Sequence, residues 1–183
     1  MANPEYEVVP YSIAELKRLL GNSRCPPGVI DGKLHSIYFD EYFRELKAKT
    51  IVVEPSYVDR DYLEDFAGYY VKCFESYGRW CTRLHFFDRL LTRPEFEATL
   101  RGDPGALARG DLEGSYLGFI VVKPLPETVV GRTCLKTYPG NGRRQYPIVR
   151  RYKANLFGTA LQVDTLAFQE QDREVAACAT SAL

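Results

Sequence analysis

The chain has 183 residues, of which 45% are hydrophobic and 26% are charged, so its composition is that of an ordinary globular protein. A chain of this length can bury enough apolar surface to fold as one domain without a disulfide or a metal ion. Its 24 basic and 24 acidic residues give a formal net charge of zero, which argues against nucleic acid as a partner.

The cysteines and the N-terminus indicate a cytoplasmic protein. The five cysteines form an odd, widely spaced set. The first residues lack the basic start and apolar stretch of a secretory signal, and the longest apolar run, residues 117–122, is far too short to cross a bilayer. We therefore expect free thiols in a reducing compartment and no membrane association.

The first elements along the chain are a helix and a mixed segment. Residues 12–20 predict a short helix in which Ser12 is the N-cap, Glu15 occupies the capping-box position and Gly21 is the stop. After an irregular loop, residues 35–49 predict a strand that passes into a helical turn.

A strand and an aromatic helix come next. Residues 50–55 predict a short buried strand closed by Pro55. The strongest helix prediction runs from Tyr62 to about Arg79, because apolar, mostly aromatic side chains recur there every three or four positions. Asp61 precedes this helix at the capping-box position. A buried core face is the favoured interpretation of the aromatic stripe, and a binding groove is the alternative.

The middle of the chain predicts one more short helix. Residues 81–88 predict a strand or the end of a helix. Residues 93–100 predict a helix, whose start is indicated by Thr92 and Pro94. Residues 101–114 are predicted as a loop. Were Cys81 and His85 on one continuous helix, they would share a face and could contribute two zinc ligands. No further ligand pair accompanies them, so we expect core packing, no metal site and no cofactor.

The second half of the chain changes to β-branched and aromatic segments. Residues 115–124 and 128–138 predict a hairpin that turns near Pro126. Residues 146–158 and 159–171 predict two further strands, and in the second of these apolar and polar residues alternate.

The order of these elements predicts an α+β fold: N-terminal helices, then an antiparallel sheet of about four or more strands, then the start of a cysteine-bearing helix. We expect a single domain over residues 1–183. Its helical part lies at about 1–110, its strand-rich part at about 115–171 and the helix start at 172–183.

One segment is strongly basic. Between Arg132 and Lys153 there are seven basic residues and no acidic one. A surface that complements an acidic face of the same domain is the favoured interpretation, and an anion- or partner-binding patch is the functional one. The candidates for such a patch are Arg143, Arg144, Arg150 and Arg151.

The last residues carry the pattern with the clearest chemical meaning. A strand leads into a glutamine-rich polar turn, and Cys178 then opens a segment of small residues. A helix N-terminus lowers the pKa of a thiol, which favours the reactive thiolate. Backbone N–H groups and a nearby side-chain amide can also stabilise an oxyanion during acyl transfer.

This pattern resembles the papain-like cysteine peptidase superfamily, in particular its bacterial C39-like branch, in which a glutamine shortly precedes a cysteine that begins a buried central helix. The resemblance implies that Cys178 is the nucleophile and that Gln171, or less closely Gln169, is the oxyanion-hole amide. It covers only the last residues of the chain, and Ala177 and Ala179 stand where the family commonly has glycine.

The family's histidine and its Asn or Asp partner lie downstream of the cysteine, where this sequence has only five residues. The two histidines, His35 and His85, both lie upstream; His85 is a less favoured candidate for a base than a downstream histidine, and His35 is less favoured still. We therefore expect these residues to be the N-terminal part of a longer hydrolase that cleaves peptide or isopeptide bonds. The piece by itself is expected to be inactive, because its base is missing.

The alternative is a non-catalytic interaction or sensing module of a larger bacterial protein, in which Cys178 is structural. Its partner would be a peptide or a protein that contacts the aromatic helix and the basic strands. The sequence leaves the oligomeric state open under both hypotheses.

Overall fold

The chain forms a mixed α+β fold, as its sequence predicts. The computed structural model describes residues 6–22, 25–31, 34–126, 128–138, 142 and 145–166. Within those residues there are six α-helices, a five-stranded sheet and a two-stranded hairpin. None of these helices is long and apolar enough to cross a membrane.

The five strands of the sheet lie in the order β1-β2-β3-β4-β5, and all neighbouring pairs are antiparallel. Strands β6 and β7 form a separate antiparallel hairpin. Along the chain the elements are β1 (Glu7–Pro10), α1 (Ile13–Leu20), α2 (Pro27–Asp31), α3 (Leu34–Glu45), β2 (Thr50–Tyr57), α4 (Arg60–Gly68), a 3-10 turn (Tyr70–Lys72), β3 (Cys81–Phe87), α5 (Arg93–Arg101), α6 (Arg109–Gly114), β4 (Tyr116–Val122), β5 (Val130–Leu135), β6 (Arg150–Leu156) and β7 (Thr159–Thr165).

Helices α1 and α3 cover the first face of the sheet. Their buried side chains pack with alternate residues of β2, β3 and β4 into one core. The ring of Phe43 on α3 lies 4.2 Å from the ring of Phe86 on β3, measured between centroids. Burial of each such side chain stabilises the fold by roughly 1.5–3 kcal/mol, so this core holds the helices to the sheet.

The β6–β7 hairpin and helices α4, α5 and α6 contribute to the core on the second face. In β7 every second residue is buried, which confirms the alternation seen in the sequence. Strand β7 contacts β4 and β5, while Phe157 at the hairpin tip lies 5.0 Å from the ring of Tyr6, next to β1. The hairpin therefore lies across the strands of the sheet.

Two helix starts follow the sequence prediction closely. Ser12 caps α1 and accepts a hydrogen bond from the Glu15 backbone N–H at 3.1 Å. At α5, Thr92 and Glu95 form a reciprocal capping box, and Gly102 ends the helix in the left-handed conformation. Such caps depend on residues close in sequence, so they can be predicted locally.

The aromatic helix predicted from Tyr62 to about Arg79 is much shorter in the structure, so its predicted extent is wrong. Helix α4 ends at Gly68, and its N-cap is Asp59, which accepts hydrogen bonds from the backbone of Asp61 and Tyr62. The aromatic periodicity continues through a 3-10 turn and a loop, where the ring of Tyr70 lies 5.9 Å from that of Tyr62. Packing of the aromatic rings in the turn and the loop accounts for the aromatic stripe without a longer helix. Gly68, where α4 ends, also has a low helix propensity.

Two further segments differ from the prediction. Residues 35–49 are mostly helix α3 and contain no strand. Strand β2 continues past Pro55 to Tyr57, with a change of register between Glu54 and Tyr57. Proline has no N–H to donate to the ladder, so this irregularity accommodates it.

More of the chain contributes strands to the sheet than the sequence predicts. Residues 101–114, predicted as a loop, include helix α6. Strand β1 was not predicted, and residues 1–110 contribute β1, β2 and β3 to the sheet. Strands are thus interspersed among the helices in the first part of the chain, and the last four elements are all strands.

Candidate functional site

The predicted thiol site lies outside the described residues. This applies to Gln169, Gln171 and Cys178, and of the basic candidates also to Arg143 and Arg144. The side chain of His35 is likewise outside the described part of the chain, although its backbone belongs to α3. The remaining predicted residues, His85, Arg150 and Arg151, have defined positions.

His85 belongs to a row of polar side chains on the second face of the sheet. We call Glu54, Arg83, His85 and Tyr116 the buried ionic cluster. Glu54 is on β2, Arg83 and His85 are on β3, and Tyr116 is on β4. Arg83, His85 and Tyr116 are 6%, 0% and 2% exposed, so these groups are almost completely removed from solvent.

Side chains along β3 point alternately to the two faces of the sheet, which explains how the pair of Arg83 and Glu54 comes to lie on the inner side of the second face. Leu84 and Phe86 point into the first core, so Arg83 and His85 point to the second face. Strand pairing places Glu54 of β2 directly opposite Arg83. Directly opposed residues of antiparallel strands share a face and interact, which brings the carboxylate and the guanidinium together.

A bulge at Gly118 brings Tyr116 to the same face. Tyr116 and Phe119 both belong to the second core, although residues three apart in a regular strand face opposite sides. The register changes in this region, and Gly118 has a φ of 116°. A Cβ atom there would lie 2.0 Å from the carbonyl oxygen of Cys134, so only glycine fits this position.

Both ring nitrogens of His85 have partners. Nδ1 lies 2.9 Å from the Tyr116 hydroxyl and Nε2 lies 3.1 Å from Glu54 Oε2. Burial lowers the pKa of His85 to about 4, although the hydrogen bond with Glu54 opposes this. Burial also raises the pKa of Tyr116 well above its usual value. At neutral pH we therefore assign the proton on Nε2 to the bond with Glu54, and the Tyr116 hydroxyl donates to Nδ1.

Arg83 connects three strands. Its Nε donates to Glu54 Oε2 at 2.7 Å and its Nη2 donates to the Asn155 carbonyl oxygen on β6 at 2.5 Å. Its guanidinium also lies 4.0 Å from the centroid of the Tyr57 ring. Burial acts to raise the pKa of Glu54, but the bonds from His85 and Arg83 and their charges outweigh it, so that pKa is lowered.

A second charged group anchors α4 to the sheet. Asp59 is buried and caps the helix, and Arg132 on β5 forms an ion pair with Asp61. The Nε of Arg132 also lies 3.9 Å from Asp59 Oδ2. The acidic residues at this helix start are thus accounted for by capping and by Arg132.

The described residues contain no group of three or more His, Cys, Asp or Glu side chains that could hold a metal ion. Cys81 and Cys134 are buried thiols, and burial raises the pKa of Cys134 to about 11. A thiol with that pKa stays protonated at neutral pH and is a poor nucleophile. His85 and Cys81 lie on a strand, where they contribute to the interior of the second face.

The two described basic candidates differ in their surroundings. Arg150 is exposed at the start of β6. Arg151 pairs with Asp164 on β7, with nitrogen–oxygen distances of 2.8 and 3.0 Å. The charge of Arg151 is therefore balanced within the hairpin.

An exposed apolar surface lies between α4 and β3. Phe74 is fully exposed, Val71 is 58% exposed and Trp80 is 49% exposed. Val71 and Phe74 line a groove of about 260 Å³ together with Phe66 and other residues of the segment 70–77. We call Phe74 and the adjoining Val71 of this groove the aromatic patch. Exposed apolar side chains that are close together are typical of interaction sites.

No family model matches the sequence, and comparison with the curated proteins and with the solved structures finds no match. The site is therefore interpreted from its own chemistry. Sequence reasoning did not identify Glu54, Arg83 and Tyr116 as partners of His85. The available signal was a charged residue within each of two apolar strand segments, TIVVEP and CTRLHFF.

Proposed function

We propose that these residues form the N-terminal portion of a papain-like, C39-like thiol hydrolase that cleaves peptide or isopeptide bonds. The observation that carries the proposal is the order of Gln171, Cys178 and a run of small residues directly after a strand. In the proposed reaction the Cys178 thiolate adds to the substrate carbonyl carbon, and the Gln171 amide donates to the resulting oxyanion. The amine leaves with a proton from the base, and water then hydrolyses the thioester.

The surroundings of His85 support a different residue as the base for Cys178. His85 is completely buried, and its two nitrogens are occupied by Glu54 and Tyr116. A general base must reach the proton that it removes within hydrogen-bond distance. We therefore propose that a histidine beyond residue 183 serves Cys178, and that His85 has a structural role.

The fold supports a scaffold role for the rest of the chain. Strand β7 ends at Thr165 and packs on β4 and β5. Residues 167–183 therefore follow directly from an element that the sheet and Arg83 hold in place. Reactive side chains need such support, because catalysis depends on their accurate positioning.

The proposal is tested with the protein produced from its complete natural gene. A peptide library is incubated with the protein, and new termini are mapped by mass spectrometry. We expect cleavage that Cys178→Ser abolishes and that Gln171→Ala reduces by roughly 100-fold or more, as for loss of an oxyanion-hole donor. Gln169→Ala distinguishes the two candidate amides: it should retain most of the activity, and a large loss in Gln169→Ala alone would assign the oxyanion contact to Gln169. Cleavage that persists in Cys178→Ser would refute the assignment of the nucleophile.

A second candidate function is a non-catalytic interaction module, and the aromatic patch is the observation that favours it. Aromatic side chains, Phe among them, are enriched at the centre of protein–protein interfaces. The partner would be a peptide or a protein, and Cys178 would be structural. Arg143 and Arg144 would add a basic contact under this hypothesis.

The two candidates predict opposite outcomes for two sets of variants. The interaction module predicts that Phe74→Ser, or reversal of Arg143 and Arg144 to Glu, weakens a partner contact found by cross-linking in cells. Leu90→Ser is the matched control, because Leu90 is 62% exposed and lies outside the patch. Cys178→Ser should leave this contact and the biological activity intact, whereas the hydrolase proposal requires that the activity is lost.

A further inference from the structure

A buried charged contact ties the β6–β7 hairpin to the sheet, in addition to its apolar packing. The Nη2 atom of Arg83 donates to the Asn155 carbonyl oxygen. The Nε atom of the same guanidinium donates to Glu54. Because Glu54 also accepts from His85, the contact with the hairpin depends on the charge state of the whole buried ionic cluster.

Beside His85, the negative charge of Glu54 can balance only one positive charge, which is that of Arg83. Of the described residues bonded to His85 or Arg83, Glu54 from β2 is the anion, Arg83 from β3 is the cation, and Tyr116 from β4 is a neutral hydroxyl. From β5, Cys134 carries a protonated thiol, and the charge of Arg132 is balanced by Asp59 and Asp61 at the start of α4. From β6 the Asn155 carbonyl reaches the cluster. Tyr57 also stacks on the guanidinium as a neutral ring.

A proton added to His85 disturbs this arrangement in two ways. Nδ1 becomes a donor, so it can no longer accept from the Tyr116 hydroxyl, and that hydroxyl loses its acceptor. The imidazolium and the Arg83 guanidinium then compete for Glu54 in a buried environment, where like charges repel strongly. This competition weakens the interaction between Glu54 and Arg83, and Arg83 is the residue that contacts the hairpin.

We propose that the buried ionic cluster is an acid-sensitive latch, in which protonation of His85 loosens the contact between Arg83 and Asn155 and releases the β6–β7 hairpin while the five-stranded sheet stays folded. The latch does not depend on the proposed hydrolase activity, because it concerns only described residues.

Hydrogen–deuterium exchange of the full-length protein at pH 7 and at pH 4.5 tests the latch. Protection factors, corrected for intrinsic exchange at each pH, are compared between β6–β7 and β2–β4. We expect hairpin protection to fall by about tenfold or more at pH 4.5 and to stay below that of the sheet, whose amides exchange only on global unfolding. In His85→Gln, which cannot take up this proton, the loss should be much smaller.

A second variant keeps the test decisive should His85→Gln fail to fold. Arg83→Lys retains the charge but cannot contact Glu54 and Asn155 at once through a fork. Its hairpin should show reduced protection already at pH 7. Equal protection of hairpin and sheet at pH 4.5, which would mean that both exchange through global unfolding, or an unchanged hairpin, would overturn the proposal. So would an undiminished acid response in a folded His85→Gln variant.

Discussion

At the scale of single residues, His85 shows how strongly environment determines chemistry. A histidine in water titrates near pH 6.5, but complete burial lowers the pKa of His85 to about 4. The residue most easily mistaken for a catalytic base is therefore a neutral hydrogen-bonding group at physiological pH. Its two bonds give it a structural function between β2 and β4.

This pKa shift predicts how stability depends on pH. As the pH falls from about 6.5 to 4, the unfolded chain takes up a proton on this histidine and the folded protein does not. The contribution of His85 to the free energy of unfolding should therefore be constant above pH 6.5 and decrease by about 3 kcal/mol toward pH 4. Urea unfolding at a series of pH values measures this. The decrease should be largely absent in His85→Gln, and an equal slope in that variant would rule out His85 as its source.

Gly118 gives a second prediction at this scale. Gly118→Ala places a methyl group against the Cys134 carbonyl in a strand conformation with a φ of 116°. We expect a loss of roughly 3 kcal/mol or more in the free energy of unfolding, or failure to fold. Gly114→Ala is the matched control, since a Cβ there meets no atom within 4 Å. If urea unfolding shows equal stability for both variants, the bulge does not constrain residue 118.

At the scale of elements, what could be predicted depends on how local the determinants are. The caps of α1 and α5 and the alternation of β7 involve residues a few positions apart, and all three are confirmed. Helix α4 was predicted too long because its aromatic stripe has helical spacing. The rings of Tyr62, Tyr70 and Tyr77 instead contact one another across a turn and a loop, which is a tertiary effect.

The capping box of α5 can be tested directly. Thr92→Ala removes the side-chain acceptor for the Glu95 N–H and the partner of its carboxylate. The expected cost is about 1 kcal/mol in the free energy of unfolding, measured by urea denaturation. Thr92→Ser keeps the hydroxyl and should stay within about 0.5 kcal/mol of the parent protein. A similar loss in both variants would show that the hydroxyl is not what stabilises the helix start.

At the scale of the whole molecule, the sheet is shared by two cores. Helices α1 and α3 pack on one face, and helices α4, α5 and α6, the hairpin and the buried ionic cluster lie on the other. Glu54, His85 and Tyr116 come from three strands, so their proximity depends on strand order, register and a bulge. None of these follows from local sequence patterns. The thiol site, by contrast, was proposed from one continuous segment.

The shared sheet predicts a single cooperative unfolding transition at pH 7. Trp80 is the only tryptophan and precedes β3, so its fluorescence reports on the sheet, while far-UV circular dichroism reports on all elements. The two urea transitions should coincide at pH 7. At pH 4.5 they should separate, because the hairpin is released first. Separate transitions already at pH 7 would mean that the two cores unfold independently.

The reactivity of the Cys178 thiol tests the proposed hydrolase most directly. In the protein produced from its natural gene, the rate of iodoacetamide alkylation of each cysteine is followed against pH by peptide mapping, with the partly exposed Cys73 as internal reference. The account predicts that Cys178 reacts faster than Cys73 at neutral pH, with an apparent pKa clearly below the ordinary value of about 8.5. An ordinary pKa with a rate equal to that of Cys73, or no reaction at all, would contradict the assignment of Cys178 as the nucleophile.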